Sequence, residues 1–106
     1  MIKVGIYKDS NGLVNGCKIV GHARYAESGQ DIVCSAISIL TYTIASAIQR
    51  LLNFQLDGDM SDGRMEFFLA DAANDQTQLL FETMLIGLSE IAQQYPKKVR
   101  IYEERR

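Results

Sequence analysis

Residues 31–53 read DIVCSAISILTYTIASAIQRLLN, and this stretch decides the fold. Val33, Ile37, Leu40, Ile44, Ile48 and Leu51 follow one another at spacings of four, three, four, four and three. That is the period of one face of an α-helix. Asp31 has the chemistry of an N-cap, so the pattern predicts a helix from there to about Asn53. Ile32, Ile39 and Leu52 widen the apolar surface past the single stripe. A helix this broad is either central or packs a second subunit as well. Ser35, Ser38, Thr41, Thr43 and Ser46 make the run from Ile32 to Ile48 too polar, and it is too short, for a membrane span.

On the N-terminal side, Ile2, Val4 and Ile6 alternate with Lys3, Gly5 and Tyr7, the period of a half-buried strand. Asp9-Ser10-Asn11-Gly12 is a turn signal, and Leu13 to Ala23 reads as a second strand, making a hairpin. Gly16 and Gly21 mark weak points in that strand. Arg24 to Gln30 then forms a polar loop.

On the C-terminal side, residues 57–63 are rich in Asp and Gly and read as a loop. Met65, Phe67 and Leu69 alternate with Arg64, Glu66 and Phe68 and predict a third strand. A second helix starts near Asn74, carries Leu80, Met84, Leu88, Ile91 and Tyr95 on one side, and stops at Pro96. Val99 and Ile101 mark a last strand, followed by a frayed charged tail from Glu103 to Arg106. The order is β-β-α-β-α-β. It predicts an α/β (α+β) two-layer sandwich, with two helices on one face of a four-stranded mixed sheet. The 106 residues give room for a single domain, 1–106.

Composition narrows the function. A formal net charge of −2 supplies no polybasic field, so no direct nucleic-acid partner is expected. Cys17 and Cys34 form no CxxC pair, and with one histidine they cannot build a recognisable zinc site. No metal, cofactor or membrane partner is expected. The start, MIKVGIYKD, lacks the apolar core of a signal peptide, so a cytoplasmic location with reduced thiols is expected.

The chemistry concentrates around the single histidine. His22 follows Gly21 at the end of the second strand, and Cys34 lies twelve residues further on. With Asp31 as N-cap, Cys34 falls in the first helical turn, where the dipole and unpaired N–H groups favour a thiolate. His22 would then be the general base for a Cys34 nucleophile. The competing reading is a packed helix cysteine and a structural histidine. The backbone N–H groups of Cys34 and Ser35 are candidates to meet an oxyanion. Asp31 serves either as a cap or as a third group that orients His22. Ser38, one turn after Cys34, is either a supporting residue or a hydroxyl bonded back into the helix. Arg24, Tyr25, Ala26, Glu27, Ser28, Gly29 and Gln30 would form a mobile lid between the two catalytic groups. Cys17 is strand filler. The spacing D-x-D-x-S in the Asp57 loop fails as a calcium loop, since Asp62 stands where the turn needs glycine.

Gly21-His22-Ala23, followed by Gly29-Gln30-Asp31-Ile32-Val33-Cys34-Ser35-Ala36-Ile37-Ser38, resembles the signature of the ribosomal-processing cysteine protease family, Prp. The resemblance extends over nearly the whole chain. It implies a small homodimeric cytoplasmic endopeptidase with a Cys–His dyad, here Cys34 and His22. It also implies a substrate: the N-terminal extension of a bacterial large-subunit ribosomal protein, the twenty-seventh of the L series. The alternative is a non-enzymatic ribosome-associated module that binds peptides and in which Cys34 is merely packed.

Overall fold

The computed structural model describes residues 1–21, 28–59 and 64–106, with the backbone alone at 28–31. Its elements run β1 (Ile2–Lys8), β2 (Val14–Val20), α1 (Ser28–Leu52), β3 (Leu56–Asp59), β4 (Arg64–Leu69), α2 (Asp75–Gln94) and β5 (Val99–Arg105). The strands form one mixed sheet in the order β3-β4-β2-β1-β5.

The β1–β2 hairpin forms because Asp9 builds its own turn. The Asp9 carboxylate accepts the backbone N–H groups of Asn11 (2.8 Å) and Leu13 (3.0 Å), and Gly12 takes a φ of 79°. β1 then pairs antiparallel with β2 and parallel with β5, which makes it the centre of the sheet's longest strands. α2 begins with a capping box. The Asn74 side chain accepts the N–H of Thr77, and the Thr77 hydroxyl accepts the N–H of Asn74, both at 2.9 Å.

The core lies on one face of the sheet. Ile2, Val4, Ile6, Cys17, Ile19, Met65 and Phe67 point the same way by strand alternation and are buried. Val33, Ile37, Ile44 and Ile48 of α1 and Phe81, Met84 and Leu88 of α2 close over them. Phe67 stacks on Phe81 with ring centroids 5.8 Å apart. The helices approach closely at Gly87, where a Cβ would stand 2.6 Å from Leu40 Cδ2. On the opposite face, Tyr102 covers Gly5 and Phe68 covers Gly16.

Two helices on one face match the expectation, but among the described residues the sheet has five strands, not four. The extra strand, β3, lies in the stretch read as a loop. Its Asp57, Gly58 and Asp59 carry no apolar alternation, and it exists because it pairs with β4. The tail is also corrected. Glu103, Glu104 and Arg105 belong to β5 and pair with Ile6, Tyr7 and Lys8. A Lys8–Glu103 ion pair at 3.0 Å and the Arg106 guanidinium 3.7 Å from the Phe68 ring centroid hold that end. In α1, Leu51 leaves the buried stripe and is exposed, while Thr41 is buried. The helical segment Ile32–Leu52, longer than the Ile32–Ile48 run read from the sequence, is long and apolar enough to cross a membrane by length and composition alone, with mean hydropathy 1.7. Its Val33, Ile37, Ile44 and Ile48 are nevertheless packed on the sheet.

Candidate active site

α1 starts at Ser28, so Asp31 is its fourth residue and Cys34 its seventh. The expectation that Asp31 caps the helix is therefore corrected. Ser28 and Asp31 are both capping residue types, and the apolar periodicity that reveals the helix begins only at Ile32. Cys34 stands in the second turn. The unpaired N–H groups of a helix belong to its first four residues, here 28–31. Helical geometry commits the N–H groups of Cys34 and Ser35 to carbonyls four residues earlier.

The two cysteines differ in burial. Cys17 is fully enclosed on the core face of β2, and burial pushes its thiol far above the usual range. A thiol held neutral in this way is a poor nucleophile. Cys34 is partly buried and packs against the edge of the core, so one side of it remains accessible. Ser35 is exposed beside it, and Ser38 is half-buried one turn along the same face.

Gly21 sits immediately past the end of β2 with a φ of 91°. A Cβ there would collide with the carbonyl oxygen of Met1. Glycine is required at this point on two counts: the positive φ and the close approach of the chain's own first residue. His22 is the next residue in the sequence. His22, Arg24, Tyr25, Ala26 and Glu27 lie outside the described residues, as do the side chains of Ser28, Gln30 and Asp31. The backbones of Ser28, Gly29 and Gln30 belong to α1, which corrects the expectation of a loop at these three positions; the rest of the expected Arg24–Gln30 lid lies outside the described residues.

One feature escaped the sequence reading. β3 borders α1 across an open groove of about 300 Å³, whose walls include Tyr42, Ala45, Ser46, Leu56 and Gly58. Only the strand pairing reveals it, because residues 57–59 have the composition of a loop.

Comparison with known proteins identifies the family and the fold. The family described as "Cysteine protease Prp" matches residues 1–100. A ribosomal processing cysteine protease Prp from Staphylococcus aureus is 33% identical over 103 residues, covering 95% of this chain and 97% of that protein. A crystal structure of an S. aureus Prp in complex with a substrate peptide superposes with a TM-score of 0.89 at 31% identity, covering 98% of this chain and 100% of that one. A second S. aureus Prp structure, with a covalently linked product peptide, has a TM-score of 0.85 at 32% identity and the same coverage.

Proposed function

This chain belongs to the Prp family of cysteine proteases, and from that premise we propose that it cuts the N-terminal extension from a bacterial large-subunit ribosomal protein, the twenty-seventh of the L series, using Cys34 and His22. The observation that carries the residue assignment is the contrast between the cysteines. Cys17 is sealed in the core with its thiol held neutral, while Cys34 is accessible on α1. The relative's name supports a ribosomal substrate, and the product peptide covalently linked in an S. aureus Prp supports covalent chemistry.

In this mechanism His22 takes the Cys34 proton, and the thiolate attacks the scissile carbonyl. The tetrahedral oxyanion is received by the N–H groups of Cys34 and Ser35. Because those donors lie inside α1, its first turn must release them as the peptide enters. His22 then gives its proton to the leaving amine. Water, deprotonated by His22, hydrolyses the thioester and restores the thiol. Gly21 positions His22. Asp31, three residues before Cys34 on the helix, orients the imidazole, and Ser38 supports the thiol from the next turn.

The working unit is a cytoplasmic homodimer of one domain, 1–106, without nucleic-acid or membrane partners. Ile32 and Ile39, seven residues apart on α1 and 64% and 66% exposed, supply an apolar strip that a second copy would cover. Incubation with the extended ribosomal protein, followed by mass spectrometry, tests the activity. The extension should be lost with the wild-type chain and retained with Cys34→Ala.

A further inference from the structure

From Ile32 to Gln49 the sequence holds no Asp, Glu, Lys or Arg. α1 nevertheless turns one side of this stretch to solvent. Ile32, Ile39, Thr43 and Arg50 follow one another at spacings of seven, four and seven, which places them on one stripe of the helix. All four are exposed. The exposed side of a surface helix ordinarily carries its charges, so an uncharged one of this length is a surface that another molecule covers.

The stripe carries both halves of a contact. Ile39, 66% exposed, is a knob. Beyond it a groove of about 450 Å³ opens among Thr43, Ser46, Ala47 and Arg50. It is open because Thr43, Ser46 and Ala47 are short. Thr43 Oγ1 donates to the Ile39 carbonyl at 2.6 Å, so this hydroxyl keeps its hydrogen bond when the stripe is covered. A knob and a groove on the same surface are what a two-fold contact needs, since each copy must offer both.

Antiparallel pairing of two α1 helices seats each Ile39 against the partner's Ser46. The two-fold axis then passes beside Tyr42 and Thr43. Ser35, four residues before Ile39, falls opposite the partner's Arg50, four residues after Ser46. Parallel pairing would instead leave the grooves empty and set one Arg50 against the other. Arg50 meets no carboxylate among the described residues, so its charge is not neutralised within its own chain. Ser35 is the exposed neighbour of Cys34 and turns about 100° from it around the helix, toward the stripe.

We infer that two copies pair along antiparallel α1 helices and that the partner's Arg50 supplies a cation beside Ser35, at the rim of the Cys34 site. The inference rests on the reading that Cys34 is the nucleophile of a dimeric protease. A guanidinium there attracts the carbonyl and carboxylate oxygens of a bound peptide, and it favours the Cys34 thiolate. A chain's own Arg50 cannot do this. It follows Cys34 by sixteen residues, about 24 Å along the axis at ~1.5 Å per residue, beyond the ~8 Å Debye length of physiological salt.

Two experiments on the full chain test it. The first places a cysteine beside the axis: Thr43→Cys, in a chain that also carries Cys34→Ala, should give a covalent dimer under mild oxidation. Ile32→Cys in the same background is equally exposed but far from the axis, and should stay uncrosslinked. The second compares alkylation of Cys34 by iodoacetate, an anion, with alkylation by neutral iodoacetamide. The ratio of the two rates cancels any change in thiolate fraction and reads the local charge. Arg50→Gln should lower that ratio roughly two- to fivefold in the dimer. Ile39→Gln, made to separate the copies, should lower it as much, and adding Arg50→Gln to it should change nothing more. An unchanged ratio in Arg50→Gln, or an equal drop on adding Arg50→Gln to the Ile39→Gln monomer, overturns the inference. So does equal crosslinking at positions 32 and 43. Binding of the wild-type chain to phosphatidylcholine vesicles, lost with Ile39→Gln, would assign the stripe to lipid and overturn it as well. If the crosslink and the charge effect hold while the extended ribosomal protein is not cut, the interface stands and the cleavage reading falls. Cleavage without the crosslink removes the interface and leaves that reading.

Discussion

Cys17 and Cys34 present the same functional group to opposite surroundings, and burial alone separates their chemistry. Iodoacetamide at neutral pH, read by peptide mass mapping, should label Cys34 in the folded chain and leave Cys17 untouched until the chain is unfolded. Labelling of Cys17 first would reverse the assignment. His22→Ala should reduce cleavage by about two orders of magnitude or more through loss of acid–base work, and should slow alkylation of Cys34 near pH 7. Equal alkylation rates would show that the helix, not the imidazole, activates the sulfur. The sequence nominates both residues for the proposed dyad, and the structure bears out the reading of Cys17 as strand filler. His22 is the only histidine, so any Cys–His mechanism had to use it, and the strand pattern around Cys17 marked that cysteine as core. The role of Asp31 was not legible. Ser28 and Asp31 have the same capping chemistry, and the residues between them carry no apolar signal that would choose one.

At the scale of elements, three residues at the start of α1 change the oxyanion argument. With the helix opening at Ser28, the amides of Cys34 and Ser35 are interior donors in the free protein. Hydrogen exchange should therefore find these two amides protected in the free chain. They should lose their helical protection when a substrate-like peptide acylates or alkylates Cys34. Protection unchanged by the adduct would move the oxyanion contact to other donors. β2 and α2 were readable because turn chemistry and helical period agreed, as at Asp9 and at the Asn74 capping box. β3 was not, because an edge strand of Leu56, Asp57, Gly58 and Asp59 owes its structure to β4 rather than to its own residues.

At the scale of the molecule, the layers followed from periodicity, since every strand but β3 has an apolar side that the two helices must cover. The parallel pairing of β1 with β5 did not, because it joins residues about a hundred positions apart. That pairing also explains why the charged C-terminal residues are ordered. The exposed strip at Ile32 and Ile39 bears on assembly. Sedimentation at micromolar concentration should give twice the 11.9 kDa chain mass, and Ile39→Glu should return the monomer. A wild-type monomer under those conditions would remove the dimer and leave the chemistry standing. The central claim is that Cys34 is the nucleophile of a peptide-cutting enzyme, and intact-mass spectrometry of the reaction with the extended ribosomal protein tests it most directly. The substrate should lose its N-terminal extension, a transient acyl adduct should map to Cys34, and Cys34→Ala should form neither product nor adduct. Cleavage by Cys34→Ala at the wild-type rate, or an adduct on Cys17, would contradict it.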